Sequence, residues 1–130
     1  MKRLLLFFLA IAAMTACNNE AGYTRAEDAQ EAGREFIRAS LDGNISRANF
    51  YLLKDSANLM VFDKWKSNYQ HLTTEEKVAY KEANILPSKI ENIDDSTVSY
   101  TYSNSFKKES TTLTIVKVNG EWLVDLKDIH

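Results

Sequence analysis

The chain has 130 residues, of which 45% are hydrophobic and 26% are charged, so it can form one globular domain and is too rich in apolar residues for general disorder. Its 16 lysines and arginines are dispersed along the chain and are outnumbered by 18 acidic residues, which gives a net charge of −2. That balance argues against nucleic acid as a partner and against binding to anionic lipid through a basic surface.

The first 16 residues have the layout of an export signal. Lys2 and Arg3 precede the apolar run L-L-L-F-F-L-A-I-A-A-M, and Thr15-Ala16 supply a small-residue cleavage site. The run is shorter than the ~20 residues that a membrane-spanning helix needs. We interpret residues 1–16 as a cleaved signal peptide, whose removal shifts the net charge from −2 to −4 because it takes away two basic residues and no acidic one.

Cys17, the only cysteine, follows this segment directly. The residues M-T-A-C resemble the lipobox of bacterial lipoproteins, with Met14 at the position where leucine is usual. The resemblance implies that Cys17 becomes the first residue of the mature chain and carries lipid on its sulfur and an acyl group on its amine. Two or three chains make a stable anchor, since each buried CH₂ contributes ~0.8 kcal/mol. The alternative is an unmodified cysteine beside an ordinary cleavage site.

An anchored Cys17 predicts where the protein resides. We expect a protein that is exported and lipid-anchored in the bacterial cell envelope. The resemblance to lipoproteins implies a preference for the outer membrane, because Asn18 lacks the acidic character linked to inner-membrane retention in some of them. Residues 17–23 form the lipidated cysteine and a polar tether. The five tether residues from Asn18 to Gly22 would reach about 18 Å if fully extended, so the domain is expected to lie close to the membrane.

The remaining chain, residues 24–130, is predicted to form a single domain with a helical first half. A capping box at Thr24–Glu27 is expected to open the first helix, and Asp42-Gly43-Asn44 to end it. A short second helix is predicted near Ser46. A third helix follows from the spacing of its apolar residues, which are Val61, Phe62, Trp65, Tyr69 and Leu72.

A second capping box predicts a fourth helix. It starts at Thr73–Glu76, and Val78 and Ala79 are expected to face inward. Pro87, the only proline, is expected to close the helical half.

From Ser88 onward the hydrophobic period changes from 3.6 to 2, which predicts strands. The first strand ends at Asp94-Asp95-Ser96, and the second alternates Val98, Tyr100 and Tyr102 with polar residues. Residues 111–118 are rich in β-branched side chains, and Asn119-Gly120 predicts a type I′ hairpin into a last strand. Helices followed by antiparallel strands indicate an α+β fold in which the N-terminal helices pack on a curved sheet of about four strands.

Three stretches carry a resemblance to a known fold family. They are F-I-R-A-S-L-D-G-N-I-S-R-A, S-T-V-S-Y-T-Y and L-T-I-V-K-V-N-G-E-W-L-V-D-L. They are similar to the nuclear-transport-factor-like cone fold, and more narrowly to a family of small bacterial lipoproteins of unknown function once labelled lumazine-binding-like. The matching residues are structural, so the resemblance speaks to the fold rather than to an activity.

No catalytic residue, metal site or cofactor site is predicted. The sequence has one cysteine and two histidines, His71 and His130, so it contains no set of Cys and His residues with the spacing of metal ligands. The spacing of the four glycines does not match a phosphate-binding loop. His71 is expected at a helix end on the surface. Asp94 and Asp95 are explained by turn chemistry, and Asp125 alternates with apolar residues and is expected to face solvent.

Five aromatic residues are candidates for the lining of a pocket: Trp65, Tyr69, Tyr100, Tyr102 and Trp122. If the cone is open, their rings and hydroxyls would line a mostly apolar site with a few polar groups. The alternative is that they fill the core, and their spacing does not decide between the two.

Three functions remain open at this point. The first is a non-catalytic lipoprotein that binds a small hydrophobic ligand or an envelope protein. The second is a cone-fold enzyme of the isomerase or cyclase type that acts on a hydrophobic substrate, and the third is a structural envelope component. A buried acid in a pocket would favour the enzyme, whereas an open aromatic cavity without one would favour the ligand carrier. The sequence does not predict the oligomeric state.

Overall fold

A computed structural model describes residues 22–129 as four helices followed by four strands. The signal peptide and the proposed lipidation site at Cys17 lie outside the described residues. The helices are α1 (Ala29–Asp42), α2 (Ile45–Phe50), α3 (Ser56–Gln70) and α4 (Thr74–Glu82). The strands are β1 (Ile85–Asp94), β2 (Thr97–Asn104), β3 (Thr111–Val118) and β4 (Glu121–Asp125).

The strands form one antiparallel sheet in the order β1-β2-β3-β4. The β3–β4 turn has positive φ at both Asn119 (52°) and Gly120 (80°), which confirms the predicted type I′ hairpin. The segment after α2 pairs with the outer edge of β4 through a parallel bridge between Leu52 and Val124. The helix-then-sheet α+β architecture predicted from the sequence is confirmed. No helix in the described range is long and apolar enough to cross a membrane.

Helix α1 crosses the sheet and forms most of the core with it. Its buried face includes Phe36, Ile37 and Leu41, which pack with residues of β2, β3 and β4. Gly33 permits the close approach, because a Cβ at that position would lie 2.8 Å from Ile115 Cδ1. The helix therefore packs against the sheet at a distance that only glycine allows at this point.

The predicted start of α1 was wrong by one turn. Its N-cap is Asp28, whose side chain accepts a hydrogen bond from the Glu31 backbone N–H at 2.8 Å. The carbonyl of Thr24 instead accepts a hydrogen bond from the Tyr51 hydroxyl at 2.7 Å. This contact holds the segment before α1 against the residue that follows α2, so Thr24 lies outside the helix.

The start of α4 agrees with the prediction, whereas the orientation of one of its apolar residues does not. Thr73 and Glu76 form the predicted capping box, with reciprocal bonds of 2.9 and 3.1 Å. Val78, predicted to face inward, is 48% exposed. Tyr80 packs against the core, and residues two apart on a helix do not share a face.

Pro87 lies inside β1 rather than before it, because that strand begins at Ile85. Since β1 is an edge strand of the sheet, a residue without an N–H is tolerated there. The pairing register with β2 shifts between Pro87 and Lys89, which places a bulge directly after the proline.

Candidate functional site

A cavity of about 250 Å³ lies between the helices and one end of the sheet. Helices α1, α3 and α4 supply most of its walls, and β2, β3 and the loop between them supply the rest. An apolar cavity of about 150 Å³ is large enough to hold benzene, so this one can accept a compact ligand with one ring. The lining residues are Ile37, Ser40, Leu41, Trp65, Asn68, Tyr69, Leu72, Tyr80, Tyr102, Asn104, Glu109 and Thr111.

The α3 wall consists of aromatic rings at helical spacing. Phe62 stacks on Trp65, with ring centroids 5.4 Å apart and an angle of 20° between the ring planes. The ring centroids of Trp65 and Tyr69 are 5.8 Å apart. The buried Phe62 ring also packs against the Phe36 ring of α1, with ring centroids 6.4 Å apart. This packing fixes α3 to the core. The stack leaves Trp65 and Tyr69 facing the cavity as a rigid apolar surface.

The position of Tyr69 depends on the end of α1. Gly43 follows that helix with φ of 72°, and backbone bonds from Gly43 N–H to Ser40 O (3.2 Å) and Asn44 N–H to Ala39 O (2.9 Å) form a Schellman motif. The Tyr69 ring covers this turn so closely that a Cβ on Gly43 would lie 2.2 Å from the tyrosine oxygen. The glycine thus serves both the helix cap and the placement of the ring.

The guanidinium of one α1 residue helps to hold helix α4 over the cavity. Arg38 of α1 donates to the carbonyl oxygens of Lys81 and Ala83, each at 2.8 Å, and to Asp42 Oδ1 at 3.1 Å. Carbonyls at the end of a helix lack partners within it and carry partial negative charge, so an arginine stabilises them well. This contact positions Tyr80, another ring of the cavity wall.

Tyr102 forms part of the sheet side of the cavity. Burial raises the pKa of its phenol to about 12, against a weaker opposing effect from a hydrogen bond with the Thr111 side chain. The phenol is therefore neutral at physiological pH. Its hydroxyl offers a polar group inside a mostly apolar site.

The structure brings three of the five predicted aromatic residues to one cavity: Trp65, Tyr69 and Tyr102. Tyr100 does not line the cavity, because it is only 3% exposed and lies in the core beneath α1. The ring centroids of Tyr100 and Tyr102 are 6.2 Å apart. Helix α1 passes close over the Tyr100 ring at Gly33, where an added Cβ would lie 3.3 Å from Tyr100 Cδ2, and this close packing buries the ring.

Trp122, predicted to lie with the same rings, is at the other end of the sheet. On β3, Thr111 pairs with Tyr102, whereas Lys117 pairs with Trp122. Six residues of extended strand separate these positions by about 20 Å. Trp122 instead lines a separate surface depression together with Asp28, Asn92, Asp94 and Asp95.

Several lining residues were missed from the sequence. Asn68 lies three residues after Trp65 on α3, and Asn104 lies two after Tyr102 on β2, so helical and strand periodicity contained a signal for both. Tyr80 and Glu109 reach the cavity only through the docking of α4 and the path of the β2–β3 loop. No local pattern marks either of them.

The acid–base chemistry of the cavity is limited to one exposed carboxylate. Glu109 is the single lining residue with a charged side chain, and it is solvent-exposed. Within the described residues, no group of three or more His, Cys, Asp or Glu is placed to hold a metal ion. The cavity can therefore bind by packing and hydrogen bonding, and it presents no buried acid to a substrate.

The most buried polar side chain, Asn58, lies away from the cavity in a network that joins α3 to β4. Asn58 is 0% exposed, donates to Asp55 Oδ1 at 3.0 Å and to Asp125 Oδ1 at 3.1 Å, and accepts from the Leu126 backbone N–H. The Lys127 ammonium bridges Asp55 (2.9 Å) and Asp125 (3.0 Å). These acids therefore hold the fold together.

Asp125 was predicted to face solvent, yet its side chain is only 16% exposed and takes part in this network. Burial pushes the pKa of Asp125 upward, but hydrogen bonds from Lys127 and Asn58 outweigh it and leave the pKa below its ordinary value. The prediction failed because the buried Asn58 amide of α3 and the Lys127 ammonium both bind the Asp125 carboxylate and shield it from solvent.

The remaining sequence candidates have structural roles. His71 is the exposed C-cap of α3, and its Nδ1 lies 2.7 Å from the Ser67 carbonyl. Asp94 accepts a hydrogen bond from the Ser96 backbone N–H at 2.9 Å, as expected of a turn residue.

Among solved structures, the chain is similar to an NTF-2-like protein of unknown function from Shewanella oneidensis MR-1. The TM-score is 0.54 at 12% identity, and the alignment covers 73% of this chain and 89% of that one. No family model and no curated protein matches the sequence. At this identity the likeness shows the fold alone, and the chain has an NTF-2-like, cone-like α+β fold.

Proposed function

We propose that this chain is a non-catalytic lipoprotein of the bacterial cell envelope whose cone binds a small hydrophobic ligand. The observation that carries the proposal is the cavity of about 250 Å³ with four aromatic residues in its lining. Ligand sites are mostly apolar with a few convergent polar groups, and Ser40, Asn68 and Asn104 supply such groups here.

The enzyme alternative has less support. An isomerase or cyclase that uses an acid or base needs it within hydrogen-bond reach of the substrate, and a shielded carboxyl is the usual device. Glu109 is exposed, while Asp55 and Asp125 are bound to Lys127 and Asn58 outside the cavity. A purely structural envelope role would not require the cavity at all.

The membrane anchor belongs to the same proposal. The resemblance of M-T-A-C to a lipobox supports lipidation of Cys17, and the short tether would keep the cavity near the membrane face. We also infer membership of the small lipoprotein family of unknown function to which the sequence is similar. Outer-membrane placement, suggested by Asn18, completes the proposal.

A cavity-filling substitution tests ligand binding. Ser40 lines the cavity from α1, and leucine there would occupy part of the volume with a good helix-forming residue. Native mass spectrometry of the protein isolated from its own envelope should show a bound small molecule that is reduced or lost in Ser40→Leu. Ser67→Leu is the matched control, since Ser67 is an exposed residue of α3 outside the lining.

The two variants also define the contrary result. If the wild-type protein carries no small molecule, or if Ser40→Leu retains it as fully as Ser67→Leu does, the cavity is not a ligand site. Thermal unfolding of both variants verifies that the comparison is between folded proteins.

A further inference from the structure

The residues that line the cavity carry charge of one sign only. Its lining contains the carboxylate of Glu109 and no lysine, arginine or histidine. The same lining contains Trp65, Tyr69, Tyr80 and Tyr102, whose ring faces carry the negative part of the aromatic quadrupole. Within the lining, an anion is repelled by the one charged group, whereas a cation is attracted by Glu109 and by any aromatic ring face that it approaches.

Glu109 is available for such a partner. Within the described residues no hydrogen bond or ion pair engages its side chain. Three other acids near the helices are paired: Glu35 with Arg47, Asp42 with Arg38, and Asp55 with Lys127. Glu109 therefore places an exposed carboxylate, unpaired among the described residues, in the lining of an aromatic cavity.

One ring of the cavity already holds a cation. The Lys77 ammonium of α4 lies 5.2 Å from the centroid of the Tyr69 ring, although Lys77 is not a lining residue. That distance is within the range of a cation–π interaction. The Tyr69 ring thus attracts an ammonium group in the protein itself. A cationic ligand close to this ring would also be repelled by the positive charge of Lys77.

We propose that the ligand of this cavity is a small organic cation, a protonated amine on a compact apolar body of about one ring. The body packs between Trp65, Tyr69 and Tyr102, and the ammonium group lies at the mouth beside Glu109. This assignment rests on the proposed ligand-binding function and adds the chemical class of the ligand.

Three probes of nearly equal size and different charge test the assignment: 2-phenylethylamine, 2-phenylethanol and 3-phenylpropionate. Isothermal titration would use the full chain in lipid nanodiscs, so that no detergent competes for the cavity. We expect the amine to bind about fivefold or more tightly than the alcohol at low ionic strength, and the carboxylate to bind most weakly. Because Glu109 is exposed, the preference for the amine should narrow at high salt.

Glu109→Gln should remove most of the preference of the amine over the alcohol while leaving alcohol binding unchanged. Asp95→Asn is the matched control, because Asp95 is an exposed acid that lines the distant depression beside Trp122. A preference for the amine that survives in Glu109→Gln would overturn the assignment, whether or not it falls in Asp95→Asn.

The outcomes separate the two proposals. If the alcohol or the carboxylate binds as tightly as the amine, and Ser40→Leu abolishes that binding, the cation assignment is overturned while the ligand-binding function stands. If none of the three probes binds, the cation assignment is overturned, and the native mass spectrometry of the wild-type protein and Ser40→Leu decides the ligand-binding function separately.

Discussion

The oxygen of Tyr69 lies so close to Gly43 that a Cβ on the glycine would be 2.2 Å away. Tyr69 belongs to α3 and lines the cavity, whereas Gly43 ends α1 in the left-handed conformation. The contact couples a helix cap to the shape of the candidate site. It also makes the two helices interdependent at a point where their sequences give no sign of it.

Gly43→Ala should therefore destabilise the protein beyond the cost of its positive φ. The left-handed conformation costs an alanine about 1–2 kcal/mol, and forced displacement of the Tyr69 ring adds about 1–3 kcal/mol. Urea unfolding gives the free energy of unfolding, and titration of the probe amine reports the change in the cavity. Gly120→Ala is the matched control, since Gly120 has φ of 80° and nothing within 4 Å of the added Cβ. Equal losses in the two variants would contradict the coupling.

Asn58→Ala should be among the most damaging single substitutions in the chain. It leaves the Leu126 N–H without its acceptor and removes a donor from Asp125, in a site where Asn58 is 0% exposed. An unsatisfied buried group costs about 1–3 kcal/mol, so we expect a loss of about 2–4 kcal/mol in the free energy of unfolding. Asn92→Ala, at an exposed position of β1, should change stability by less than about 0.5 kcal/mol. A small effect of Asn58→Ala would mean that the network does not hold α3 to β4.

Stability should fall as the pH drops from about 4 to about 2. Hydrogen bonds from the Asn58 backbone N–H and from Lys127 lower the pKa of Asp55 from 3.8 to about 2, and the pKa of Asp125 is also lowered. A lowered folded-state pKa stabilises the protein above the unfolded value and ceases to do so as the pH falls through the folded value.

Lys127→Met tests this pH dependence by removing the bridging ammonium. The loss of stability between pH 4 and pH 2 should become shallower, as measured by urea unfolding across that range. Lys64→Met is the control, because Lys64 is an exposed residue of α3 that lies outside this network. An unchanged pH dependence in Lys127→Met would show that the two carboxylates are not stabilised by this lysine.

Cys17→Ser tests the anchor. The serine cannot form the thioether, so the protein should lose incorporation of a fatty-acid label and leave the membrane fraction. Asn18→Ser controls for the presence of a new serine at this point of the chain. A Cys17→Ser protein that still incorporates the label, or that remains membrane-bound without it, would refute the lipid anchor.

Local signals in the sequence were sufficient for most of the fold. The β3–β4 hairpin follows from Asn119-Gly120, because that pair tolerates positive φ, and the start of α4 follows from the reciprocal bonds of Thr73 and Glu76. The first helix was misplaced at its start because Thr24 and Asp28 are both good caps. The Tyr51 hydroxyl, distant in sequence, binds the Thr24 carbonyl.

The candidate site was only partly predictable for the same physical reason. Helical and strand periodicity identify Trp65, Tyr69 and Tyr102 as apolar residues of their elements, but a period states which face a residue occupies and not what lies opposite. Strand pairing placed Trp122 at the far end of β3, and α1 covered Tyr100.

The sequence by itself determined the order of helices and strands, the principal turn and the pattern that predicts a lipidated Cys17, because each depends on residues close together in the chain. The tertiary structure alone decided that an aromatic cavity exists, that Glu109 stands unpaired at its mouth, and that the acids near Asn58 are structural. Those features arise at the contacts between the sheet and the helices α1, α3 and α4. These contacts are determined by packing between elements that are far apart in the sequence.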